Sequence, residues 1–159
     1  MVSARLRERI LTSFFLRTLK TSPSLPFLFS IKGQHPTFTD KELASYGQTF
    51  SRMLQCATVS VPDKHDDTEF AKLRAVVEAD FPLLHEKAER MILAEDCWMY
   101  KIQGKDQNRN ILMMSHHDVV PAEDDWTMPA FQGIIKDGKV YGRGAADTKG
   151  SLCAILFGM

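Results

Sequence analysis

The chain has 159 residues, 44% hydrophobic and 25% charged, which suits one modest hydrophobic core and no more. Lysine plus arginine and aspartate plus glutamate stand at 20 each, so no net field exists to gather nucleic acid or an anionic membrane, and a small-molecule or protein partner is expected instead. Three cysteines without close spacing, Cys56, Cys97 and Cys153, fit neither a disulfide framework nor a paired-cysteine zinc site; they read as buried thiols in a reducing, cytoplasmic setting.

The first twenty residues set Arg5, Arg7, Arg9, Arg17 and Lys20 against a single Glu8, with Leu6, Ile10, Phe14 and Leu16 at near-helical spacing. They read as an accessory surface helix, with a targeting or interfacial segment as the alternative. Arg17, Lys20 and Lys32 interrupt the only apolar stretch that approaches membrane-spanning length, so no transmembrane segment is expected. Pro23, Pro26, Gly33 and Pro36 mark a linker, which makes residues 1–38 an extension and 39–159 the compact part.

Thr39 or Asp40 can cap a helix through Glu42, Leu43, Tyr46, Phe50 and Leu54, and a second helix is predicted from Asp66 to Glu89 with a break at Pro82. The apolar runs Cys97–Ile102 and Asn110–Met114, on either side of the turn residues from Gly104, predict a hairpin. A second hairpin is predicted where Ile134–Ile135 and Val140–Tyr141 flank the turn dipeptide Asp137-Gly138. From Ser151 an apolar helix begins, and the sequence stops within it, which reads as an interruption of a longer protein.

Two polar segments carry the chemistry. Ser115-His-His-Asp-Val-Val-Pro121 follows the apolar run ending at Met114, where a strand is expected to emerge into a loop. Two residues apart in extended chain, His116 and Asp118 face one side; they suit a metal-ligating histidine with a carboxylate behind it, and equally a local hydrogen-bonding pair. Gly142-Arg-Gly-Ala-Ala-Asp-Thr-Lys-Gly150 leads into the last helix, and Asp147 there suits either an N-cap or a carboxylate bridging two metal ions.

In this order, with Trp126, Pro129, Phe131, Gly133 and Asp137-Gly138 between them, the two segments resemble the dinuclear zinc peptidases and amidohydrolases that include carboxypeptidase S, aminoacylase and related N-acyl-amino-acid hydrolases. Thr58-Val-Ser60 and Phe81-Pro82 extend the resemblance over roughly residues 40 to 159. It implies an α/β class, the N-terminal part of a zinc-peptidase catalytic domain with helices packed on a mixed β-sheet, incomplete at residue 159. His116 would ligate zinc, Asp147 would bridge two zinc ions, and Asp118 would be the catalytic-site carboxylate that orients His116. His117, Arg143, Lys149 and Trp126 are assigned structural roles.

The implied reaction is hydrolysis of a peptide or N-acyl amide bond next to a C-terminal amino acid. The implied substrates are a dipeptide, a peptide C-terminus or an N-acyl amino acid, and a homodimer through a further domain is an option of the family. The family's general base is the first of two adjacent glutamates, and this sequence contains no such pair. One histidine and one aspartate fall short of the three or four protein ligands zinc takes, so the chain alone is expected to be inactive. The alternative is a non-catalytic relic or binding module that retains the loops.

Overall fold

A computed structural model describes residues 37–62, 64–94, 96–123 and 125–159. The predicted extension, apart from its last two residues, lies outside the described residues. Helix α1 spans Asp40–Gln55, α2 Asp67–Asp80, α3 Pro82–Lys87 and α4 Lys149–Gly158. The strands are β1 (Ser60–Val61), β2 (Lys64–His65), β3 (Glu89–Ala94), β4 (Cys97–Lys101), β5 (Ile134–Lys136) and β6 (Lys139–Tyr141). They pair β1 with β2, β3 with β4 and β5 with β6, each pair antiparallel, and a lone parallel bridge joins Val59 to Val119. The class is α/β, as expected, with helices packed beside small sheets.

Helix α1 starts where a capping box forms. The Thr39 hydroxyl accepts from the Glu42 amide at 3.2 Å, and the Glu42 carboxylate accepts from the Thr39 amide at 2.7 Å. Its inner face buries Met53 and Leu54 completely. The second predicted helix divides into α2 and α3 at Phe81, because Pro82 has no amide proton to continue α2 but is well placed to begin α3.

Met53 and Cys56 meet Leu73, Val77, Phe81 and Leu84 of the middle helices and Cys153 and Leu156 of α4 in one core. Phe157 closes it, its ring 4.0 Å from that of Tyr46 and 4.8 Å from that of Phe81. Of the three thiols, Cys56 and Cys153 are buried, whereas Cys97 opens β4 on the exposed side and departs from the expected buried setting.

The β5–β6 hairpin forms at the predicted dipeptide, with Asp137 at φ 50° and Gly138 at φ 68°, the pair of left-handed residues that a tight two-residue turn requires. The other predicted hairpin is corrected. Strand β4 pairs with β3, which ends at Ala94 just before it in the chain, and not with Asn110–Met114. The nearer partner closes the shorter loop, and Arg90 and Arg74 reinforce it through ion pairs with Glu78 and Asp96. Residues 110–118 form no strand, and Ile111, Leu112 and Met114 are at least three-quarters exposed.

The element that ties these parts together is Lys149, a fully buried residue whose ammonium donates to the carbonyls of Met53 at 3.1 Å and Cys56 at 2.5 Å. Those carbonyls end α1, so the first residue of α4 supplies the cation that satisfies the end of the first helix. At Gly133, φ is +57° and any Cβ would overlap the Ser51 carbonyl, while the Ser51 hydroxyl donates to the Gly133 carbonyl at 2.5 Å. The β5 hairpin is thereby pressed onto α1.

Gly133→Ala is expected to destabilise the chain by at least about 2 kcal/mol through overlap and backbone strain. Gly104→Ala, where a Cβ meets nothing closer than 4.0 Å, should change stability by no more than about 0.5 kcal/mol. Chemical denaturation of both variants checks the contrast.

A pH dependence follows from the buried groups. Burial lowers the Lys149 pKa from its ordinary 10.5 to about 8, so between those values the native state has released a proton that the unfolded chain still holds, and stability rises with pH. Burial raises the Cys153 thiol from 9.0 to about 12, so above pH 9 the unfolded chain alone ionises there and stability falls. The urea midpoint is expected to climb from pH 7.5 to 9 and then bend over, with Lys149→Met losing the climb and Cys153→Ala weakening the fall.

Candidate metal centre

The segment Ser115–Val119 is held from two sides. Val119 donates its amide to the Thr58 carbonyl at 2.8 Å and accepts from the Ser60 amide at 3.0 Å, so residues 58–60 run alongside it in parallel. The buried Thr58 hydroxyl donates to the His117 carbonyl at 2.5 Å. His117 turns inward: its ring stacks on Trp98 at 5.1 Å, meets the edge of Phe70 at 5.5 Å, and its Nε2 bonds the Asp96 carbonyl at 2.7 Å.

His116 turns the other way, and its side chain is half exposed. Its Nδ1 lies 3.1 Å from Oδ1 of Asp118 and 3.1 Å from the Asp118 carbonyl. Its Nε2 lies 3.1 Å from Oδ1 of Asp147, 31 residues further along. Burial works against charge on this ring, but hydrogen bonds to Asp147 and to the Asp118 backbone, together with both carboxylate charges, hold its pKa above the ordinary value.

Asp147 reaches this place because the loop before α4 is anchored at both ends. Gly144, at φ +84°, leaves no room for a Cβ against Val119, and its carbonyl accepts from the Lys149 amide at 2.9 Å. The Asp147–Thr148 peptide bond is cis. Asp147 does not cap α4: the N-cap is Thr148, without a side-chain capping bond, and the Asp147 carboxylate is 85% exposed and free to serve His116.

Thr148 completes the junction. Its hydroxyl donates to the His116 carbonyl at 2.8 Å, accepts from the His116 amide at 3.3 Å and lies 2.9 Å from the Ser115 hydroxyl, which also reaches the Thr148 carbonyl at 3.1 Å. Sequence reading passed over Ser115 and Thr148, whose one signal is that each adjoins a candidate ligand in the chain.

The donor set suits zinc in part. The separation of Nε2 and Oδ1 is close to the roughly 3.4 Å between two donors of a tetrahedral zinc, and Nδ1 is engaged by Asp118, which leaves Nε2 for a metal. Among the described residues, no third histidine, cysteine or acid joins them within reach of one ion.

Trp126, Met128, Val140 and Tyr141 line an open cleft of about 630 Å³. Arg143 holds Trp126 in place, with its guanidinium 4.7 Å above the Trp126 ring and Nη2 donating to the Pro121 carbonyl at 3.1 Å. Arg143→Lys keeps the charge but loses the planar stack. It should raise the rate of proteolytic nicking between Pro121 and Pro129 several-fold while moving the global unfolding midpoint by less than about 1 kcal/mol, which limited proteolysis and denaturation together would measure.

Residues 112–159 match the profile of peptidase family M20/M25/M40. The chain is 32% identical to probable carboxypeptidase S-like 2 of Dictyostelium discoideum over 92% of its own length and 30% of that protein's. It is 32% identical to the N-fatty-acyl-amino acid synthase/hydrolase PM20D1 of Mus musculus over 75% of its own length and 25% of that protein's. The chain thus spans under a third of the relatives it matches. No solved structure matches significantly.

Proposed function

From residues 112–159 as a segment of peptidase family M20/M25/M40, we propose that this chain contributes the first metal ligands of a zinc-dependent hydrolase acting on a peptide or N-acyl amide bond next to a C-terminal amino acid. The observation that carries the reading is the His116 imidazole held between Asp118 and Asp147. The names of the relatives, a probable carboxypeptidase S-like protein and an N-fatty-acyl-amino acid synthase/hydrolase, support a peptide C-terminus or an N-acyl amino acid as the substrate class, and a dipeptide is proposed with them. Residues 39–159 act as part of the catalytic domain, and residues 1–38 as an extension to it.

In this reading His116 and Asp147 are metal ligands. Asp118 accepts the Nδ1 proton of His116, sets the tautomer that leaves Nε2 with a lone pair, and raises the basicity of the ring. Zinc, when bound, supplies a Lewis acid for the amide carbonyl and lowers the pKa of a water. Two ions are proposed, and Asp147, whose carboxylate is 85% exposed, would be a ligand shared by both.

No adjacent glutamates occur in the sequence, so this chain alone lacks the family's base and is proposed not to turn over. Three free cysteines suit a reducing, cytoplasmic setting. No helix of the described residues is long and apolar enough to cross a membrane.

Zinc titration against a chromophoric chelator tests the site. The chain should take up zinc weakly, His116→Ala and Asp147→Asn should abolish uptake, and Asp118→Asn should weaken it by about 10–100-fold. A longer protein carrying this chain should hydrolyse N-acyl amino acids or dipeptides in a chelator-sensitive way. Absence of zinc uptake by the unsubstituted chain would leave a non-catalytic module that keeps the loops.

A further inference from the structure

Neither candidate ligand is held by packing at its tip. The Asp147 side chain is 85% exposed and that of His116 52% exposed, so rotamer freedom alone would let them drift apart. The segment leading into His116 adds no support, since residues 110–114 are exposed and pair with no strand among the described residues. The two side chains stand 3.1 Å apart, and the loops that carry them are joined by hydroxyl-to-backbone hydrogen bonds of their chain neighbours.

That contact runs through one hydroxyl. Thr148 adjoins Asp147 in the chain, and its Oγ1 meets both polar backbone groups of His116, the carbonyl at 2.8 Å and the amide at 3.3 Å. The Ser115 hydroxyl doubles the link, 2.9 Å from Thr148 Oγ1 and 3.1 Å from its carbonyl. The link is therefore a cross-brace between the two loops at the level of the main chain, with each brace residue one bond from a candidate ligand.

We infer that Thr148, seconded by Ser115, is a positioning residue for the metal centre: its hydroxyl sets the spacing of His116 and Asp147 that a divalent cation would need. The inference rests on the zinc reading proposed above. Thr148 touches neither substrate nor metal and acts only through His116 and Asp147.

The test compares the parent chain with Thr148→Val, which is nearly isosteric but has no hydroxyl, Thr148→Ser, which keeps it, and Ser115→Ala. Three measurements are made on each: zinc affinity by chelator competition, hydrogen exchange of the His116 amide in the metal-free chain, and the metal-free unfolding midpoint. Thr148→Val is expected to bind zinc about 10–100-fold more weakly and to expose the His116 amide to exchange, with its unfolding midpoint close to that of the parent. Thr148→Ser should restore both properties, and Ser115→Ala should show a smaller loss of affinity.

Parent-like zinc affinity in Thr148→Val overturns the positioning role while leaving the metal reading intact. Equal loss in Thr148→Ser and Thr148→Val overturns it too, because the methyl group and not the hydroxyl would then matter. Lack of zinc uptake by the parent itself overturns the metal reading and this inference with it, and the parent measurement alone distinguishes that case.

Discussion

A single buried ammonium organises this chain. Lys149 sits at the first turn of α4 and donates to the two carbonyls that end α1, 93 and 96 residues earlier. A charge taken out of water is tolerated only when its donors are satisfied, and here the acceptors are themselves carbonyls a helix end leaves without partners. Two deficits cancel at one point. The loop that carries Asp147 is therefore anchored to the end of α1 by a residue two positions on.

The candidate centre has an unequal construction for the same reason. On the Asp147 side, Lys149 and the tight approach of Gly144 to Val119 define the backbone. On the His116 side, support comes from Thr58 and Val59 alongside His117–Val119 and from the inward stack of His117 on Trp98. His116 and His117, adjacent in sequence, thus divide the work: one ring anchors the loop in the interior while the other is presented to solvent between two carboxylates. Alternation along an extended chain is enough to produce that division.

Local chemistry made much of this legible before the fold was known. The helix cap at Thr39, one of the two residues expected there, the break at Pro82 and the turn at Asp137-Gly138 depend on residues within a few positions of one another, and each formed where it was expected. The adjacency of His116 and Asp118 was legible for the same reason. What escaped depends on distant partners. Strand β4 had two possible neighbours, and periodicity does not choose between β3 and residues 110–114. Burial of Lys149 runs against the ordinary fate of lysine, and nothing within its own helix announces the carbonyls of Met53 and Cys56. The bracing by Ser115 and Thr148 likewise needs two loops brought together from 33 residues apart.

The setting of Lys149 also gives it an unusual reactivity profile. The burial that lowers its pKa to about 8 also seals the amine from any reagent while α1 and α4 stay packed, and opening returns it to the ordinary 10.5 of an exposed lysine. Its acylation would thus proceed only through molecules in which the helix end has come away from α4. The residue is a natural clock for that opening, ticking at the rate at which the end of α1 and the start of α4 part company.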